Sequence, residues 1–393
     1  MTDLLGKATH LQARTPEVPD WQQWQRARAD RARERVNFYR SLSPAQGKEL
    51  ALAALHLVED GENTDYLAEQ ILTKLANIVP GSLHGLHPLF LERDIHWGDK
   101  GLYREADLAT RDYIIALLES DDIVEMLQSH RGDIELRQDL LASLAWIGDE
   151  HVQRQFLKWR ETPPPWSVSR AFEKPLDAYT HYAGWELTEN GKKRELYFQQ
   201  CYELIPVEEA PAEDIPGPIS VIGSHEERCA WCGRQLLTLF DFNLSDFRFD
   251  FFRLRGKRLR IALCASCSIF DTEPPFFDVD MYGASHWSEW NDTRDAFEED
   301  ESISLSPSQL VLAQRRRTPF ETNASYSQSG LSQIGGHPEW VHYPQYPRCL
   351  RCQQTMMFVG QFEPMDILAD AEGMIYAFLC AECGGTTTRF QCT

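Results

Sequence analysis

The sequence predicts an α+β protein of several domains, with an N-terminal α-solenoid followed by a β-rich region built from a duplicated unit. Three observations lead there. Amphipathic helical patterns fill residues 43–166, separated by short breaks. Alternation of apolar and polar residues around Asn190-Gly191 then marks a switch to strands. Finally, eight of the ten cysteines fall in four Cys-x-x-Cys pairs: Cys229/Cys232, Cys264/Cys267, Cys349/Cys352 and Cys380/Cys383. CAWCGRQLLTLFDF parallels CLRCQQTMMFVGQF, and RLRIALCASC parallels MIYAFLCAEC. One unit, Cys-x-x-Cys, strand out, strand back, Cys-x-x-Cys, is therefore present twice.

Taken in order, residues 1–43 read as an N-terminal helical arm. A helix is expected over 20–43, with Asp20 as its cap and six arginines from Arg26 to Arg40. Asp30 and Glu34 give those arginines local partners, which favours a solvated face over an anion-binding arm. Residues 44–165 form the helical domain, with helices expected at Pro44–Val58, Thr64–Val79, Glu105–Leu117, Asp122–Ser129, Ile134–Ile147 and His151–Trp159. The stretch RQDLLASLAWIGDEHVQRQFLKW pairs two helices about a tight Gly148-Asp149 turn and resembles a small HEAT-type repeat, in which Ala142 and Ala145 permit close helix approach. His84, His87 and His96 fall near one another in LHGLHPLFLERDIHWGD, with Asp94 or Asp99 as a third ligand if a metal bound there. Bare proximity of this kind is usually accidental, so no role is assigned to them. Residues 166–218 carry a β-hairpin and an acidic, Pro-rich linker, and residues 219–393 the duplicated cysteine unit.

The cysteine spacing has a direct chemical reading. Two residues between cysteines let one tight turn present two thiolates to a single ion, and an antiparallel return brings a second such turn beside the first. Two structural Zn²⁺ ions are expected in a duplicated Cys₄ zinc ribbon, held by Cys229, Cys232, Cys264 and Cys267 and by Cys349, Cys352, Cys380 and Cys383. Long excursions at Asp241–Lys257 and Gly360–Gly373 mean that the hairpins carry inserted loops. A closed four-sulfur set has no open coordination position, so the metals should fold the domain and take no part in catalysis. Cys201 and Cys392 read as ordinary thiols.

Ahead of the third pair, SQIGGHPEWVHYPQYPRCLRC places Gly335-Gly336 where φ > 0 is expected, Pro338 at the following turn, and Trp340 as a large anchor. Ile334 to Trp340, Pro347 to Cys352 and Met356 to Gln361 together resemble the YwqG-like family of bacterial domains of unknown function, and the eukaryotic programmed-cell-death-2-like proteins are similar. The resemblance covers roughly residues 220–393 and implies a β-rich domain of two related halves. Such domains recur beside polymorphic toxin genes, which implies an immunity or chaperone role.

At 393 residues and 42% hydrophobic content the chain can bury several cores, and its net charge of −21 makes nucleic acid a poor partner. Short basic runs at Arg253–Arg260 and Arg315–Arg317 read as solvated loops. No apolar run approaches a membrane span and the first residues lack a signal-peptide profile, so a cytoplasmic location and no membrane partner are expected. Motifs of zinc proteases, phosphate loops, dinucleotide folds and serine hydrolases are missing from the sequence. The expected function is non-enzymatic protein binding, as an immunity protein that occludes a basic, Rhs-type toxin domain. The alternative is a zinc-ribbon chaperone or adaptor for translation components. Candidate partner-binding residues are the acidic Glu208, Glu209, Asp295, Glu298 and Glu299, which would steer a basic partner, together with Trp340.

Overall fold

The computed structural model describes residues 2–12, 21–59, 66–93, 95, 101–127, 132–168, 172, 174–207, 217–270, 273–294, 310–324, 331–364 and 373–392. The protein is mixed α+β, helical in its N-terminal part and sheet-rich beyond it. It divides into two compact units, Met1–Glu195 with Phe320–Gln328, and Leu196–Pro319 with Ser329–Thr393. The division falls inside segment 166–218, so that segment's hairpin belongs to the first unit and its long strand to the second.

Among the described residues the first unit has nine α-helices: α1 (Thr2–Gln12), α2 (Trp21–Arg40), α3 (Pro44–Glu59), α4 (Leu67–Ile78), α5 (His87–Glu92), α6 (Leu108–Glu119), α7 (Ile123–Leu127), α8 (Asp133–Ile147) and α9 (Glu150–Glu161). Their ends are set by local chemistry. Ser43 and Gln46 form a reciprocal capping box ahead of α3, Gln46 Oε1 accepting from the Ser43 N–H at 2.9 Å and Ser43 Oγ from the Gln46 N–H at 3.3 Å. Asp107 caps α6 and Asp149 caps α9, each accepting a backbone N–H three residues on. Between α8 and α9, Gly148 takes the left-handed conformation that ends one helix and starts the next. Arg137, though on α8, is fully buried because its guanidinium donates to the Leu118 and Ser120 carbonyls at the C-terminal end of α6 and stacks on Trp166.

A two-stranded hairpin, β1 (Trp185–Leu187) and β2 (Lys193–Glu195), closes this unit around Asn190-Gly191. Trp185 is buried, and its indole N–H donates to the Ala145 carbonyl at 2.9 Å. No helix among the described residues is long and apolar enough to cross a membrane.

The second unit contains β3 (Phe198–Pro206), β4 (Ile219–Arg228), β5 (Gln235–Asn243), β6 (Arg258–Leu263), the short α10 (Cys267–Phe270), β7 (Phe276–Val279), β8 (Ser285–Trp287), β9 (Leu310–Arg316), β10 (Gln333–Gly336), β11 (Met357–Phe362), β12 (Met374–Leu379) and β13 (Thr386–Gln391). They make a three-stranded sheet, β4-β5-β6, and an eight-stranded sheet in the order β8-β7-β13-β12-β11-β10-β3-β9, with every pairing antiparallel. Phe240, Phe242, Ile261, Ile334, Val359, Phe362 and Ile375 belong to one apolar cluster fed by strands of both sheets.

Candidate metal centres

Each cysteine pair sits where a turn meets a strand. In the Cys229 turn the Gly233 N–H donates to the Cys229 carbonyl at 2.8 Å and the Cys229 N–H to the Arg234 carbonyl at 2.9 Å. The Cys349 turn repeats both bonds through Gln353 and Gln354, and the Cys380 turn repeats them through Gly384 and Gly385. The residue after the second cysteine must then adopt positive φ. Gly233 and Gly384 do so at no steric cost, whereas Gln353 does so at φ 59° with a side chain. The Cys264 turn differs, running directly into α10.

These turns bring the sulfurs together in the expected two sets. Within each of Cys229, Cys232, Cys264, Cys267 and Cys349, Cys352, Cys380, Cys383, all four Sγ atoms lie within 4.8 Å of one another, and each set could hold a metal ion. Cys229–Cys267, Cys232–Cys264 and Cys352–Cys380 Sγ separations are 3.7, 3.5 and 3.6 Å, and none of the cysteines is disulfide-bonded. A tetrahedron with metal–sulfur bonds of about 2.3 Å has edges of about 3.8 Å, so the residues fit such an ion.

Electrostatics point the same way. Hydrogen bonds from the Cys264 and Cys267 thiols pull Cys229 down to about 2, while the bond to Cys229 pushes Cys264 up to about 12 and drives Cys267 up as well. In the second set burial, then the bond with Cys352, pushes Cys383 up to about 11. Four sulfurs this close cannot all be anionic alone; a cation among them reverses that preference. Around the first set, Trp231, Leu236, Phe277 and Trp287 exclude water, Trp231 donates to the Asp292 carbonyl, and the Arg294 guanidinium lies 4.1 Å from its ring centroid. In the second set Cys352 and Cys383 are half-buried.

The duplication runs deeper than the cysteines. Leu237, Thr238, Phe240, Asp241 and Phe242 on β5 face Leu263, Ala262, Ile261, Arg260 and Leu259 on β6. Met357, Phe358, Gly360, Gln361 and Phe362 on β11 face Leu379, Phe378, Ala377, Tyr376 and Ile375 on β12. Counted from Cys232 and Cys352, the two registers coincide position by position, including the bulge that skips Leu239 and Val359. A third strand is also shared. Val221 on β4 pairs with Phe240 as Ile334 on β10 pairs with Gly360, and the next residue of each, Ile222 and Gly335, has φ of 53° and 70°. The repeat read from the cysteines alone is thus a three-stranded unit.

Other candidate residues are placed as follows. Trp340 is buried, its ring 4.7 Å from Tyr376, 5.1 Å from Tyr346 and 6.2 Å from Phe378. Glu208, Glu209, Asp295, Glu298 and Glu299 lie outside the described residues, as do His96, Asp94, Asp99 and Asp20. His84 is exposed and His87 buried, and among the described residues neither joins a metal-ligating group.

His87 instead packs edge-on against Phe90 and beside Tyr103, with Nε2 3.2 Å from the Leu102 carbonyl. Burial lowers its pKa to about 4. The unfolded chain therefore binds a proton at this site that the folded chain refuses between about pH 6.5 and 4, so stability is lost as pH falls through that window. A loss of up to about 3 kcal/mol is expected from this group in urea unfolding. His87→Gln should flatten the pH dependence over that range, and an unchanged slope would contradict the assignment.

No family model matches the chain, and no solved structure matches it. It is 32% identical to the uncharacterized protein YpfL of Salmonella typhimurium over 360 residues, which are 91% of this chain and 79% of that protein. At that identity and coverage the chain belongs to the same protein family as YpfL.

Proposed function

We propose that the chain is a non-enzymatic, protein-binding protein in which a short HEAT-like α-solenoid precedes a duplicated zinc ribbon stabilised by two Zn²⁺ ions. The observation that carries this reading is the gathering of eight cysteines into two four-sulfur sets. Ligands of this kind fill a tetrahedral ion's coordination, and the metal then supplies folding energy and offers no position to a substrate. The YwqG-like resemblance and the net charge of −21 support a partner of opposite sign, a basic toxin domain that the chain occludes as a cytoplasmic immunity protein.

Titrating purified chain into a cognate toxin, if one is encoded beside its gene, should remove toxin activity at about one equivalent, since occlusion is stoichiometric. Association should slow as salt rises, because screening acts over a Debye length of about 10 Å at 0.1 M. Protection at well below one equivalent, or reversal of damage already done, would identify an enzyme instead. Capture of ribosomal or translation components from the native cell in place of a toxin would favour the chaperone reading.

A further inference from the structure

The segment Phe320–Gln328 belongs to the helical unit although it lies in the connection between β9 and β10. Those two strands flank β3 on either side, so the connection needs to pass only one strand, about 10 Å across. Between Arg316 and Gln333 it instead contributes a segment to the helical unit. Within the helical unit, Glu321 is buried and its carboxylate is gripped by Arg40 of α2, Oε1 at 2.6 Å from Nη2 and Oε2 at 3.3 Å from Nε. Next to it, the Phe320 ring carries the Arg104 guanidinium 4.0 Å from its centroid and meets Trp146 of α8 edge-on at 5.6 Å. Thr322 is buried as well, and the short turn Glu321–Ala324 packs on α4.

Fork-to-carboxylate pairing beside an aromatic ring held between a cation and an indole is chemistry that selects a sequence. An apolar core contact would have needed none of it. The occupant is a few residues long and is delivered from 281 residues away along the chain. That is the form of a tethered linear motif, held by the high effective concentration that tethering supplies.

We propose that the helical unit is a receptor for a short aromatic-acidic peptide segment and that Phe320-Glu321-Thr322 occupies this site in cis. The partner it fits is a protein segment in which an aromatic residue is followed at once by a carboxylate, with Arg40 taking the carboxylate and Arg104 and Trp146 the ring. This goes beyond toxin occlusion and does not depend on it.

A fluorescein-labelled peptide of residues 317–328 is the probe, titrated with the full chain and followed by polarisation. The wild-type chain, blocked in cis, should bind it weakly. Phe320→Ala/Glu321→Ala should bind it at least about tenfold more tightly, and adding Arg40→Glu should remove that gain. The peptide carrying Glu321→Arg should then bind the Arg40→Glu chain in preference to the native peptide. A double-alanine chain that keeps wild-type circular dichroism and metal content yet binds no better than wild type would overturn the proposal, as would indifference to Arg40→Glu. Should the double-alanine chain fail to fold, the exchange Arg40→Glu/Glu321→Arg serves instead. It should recover the melting temperature lost by Arg40→Glu alone, and failure to recover it would equally overturn the proposal.

Discussion

Cys349→Ser is expected to lower bound metal from about two ions per chain to about one and to unfold the strands that its centre joins. Cys349 is fully buried beside three other sulfurs. A serine hydroxyl cannot become the anionic ligand that a cysteine becomes, so the remaining three thiolates hold an ion with an exposed edge or repel one another without it. Structural zinc in small Cys-rich folds is worth about 10–16 kcal/mol of apparent binding free energy, comparable with the about 5–15 kcal/mol that stabilises a whole domain. Because β11 and β12 lie in the middle of the eight-stranded sheet, the damage should spread through that sheet. Cys229→Ser should strike the three-stranded sheet first. Elemental analysis and thermal melting of the two variants provide the check, and retained metal with an unchanged melting curve would refute the assignment.

Gly335→Ala is the second large effect. At φ 70° an alanine is already strained, and its Cβ would stand 2.0 Å from the Gln200 carbonyl oxygen, on the strand that β10 pairs with. Backbone cannot swing aside as a side chain can, so β3 and β10 must part. A loss of about 4 kcal/mol or more is expected in urea unfolding. Gly384→Ala is the control, with φ 72° but nothing closer than the Val279 carbonyl oxygen at 3.9 Å. It should cost only the left-handed backbone penalty of about 1–2 kcal/mol. Equal losses at the two positions would mean that the close approach of β3 is not what Gly335 serves.

The legible parts of this molecule are those where one chemistry dominates locally. Thiol spacing announced the two cysteine sets, and Gly335-Gly336 announced positive φ. Apolar periodicity located α3, α4 and α6 to α9 to within about a turn. The third strand of the repeat stayed hidden because Ile222 stands where the second copy has Gly335. An isoleucine at φ 53°, with its side chain buried, cancels the glycine cue. Helix α5 was hidden by composition, since LHGLHPLFLE carries glycine, histidine and proline, yet Pro88 sits in the first turn where proline is tolerated. The docking of Phe320 depends on Arg40, Arg104 and Trp146, which only tertiary structure brings to one place.

The position of β3 has a consequence for the order in which the chain is made. Its two neighbours, β9 and β10, begin at Leu310 and Gln333, more than a hundred residues downstream. At a synthesis rate of about 5–20 residues per second, β3 leaves the ribosome roughly 5–20 s before either edge of it can be paired. The β5-β6 hairpin has no such wait, because its strands and its four sulfurs emerge close together and a metal can close it at once. A nascent chain therefore carries a finished first hairpin and an open strand at the same time, and the interval in which that strand could pair with another molecule ends only when β9 and β10 have both emerged.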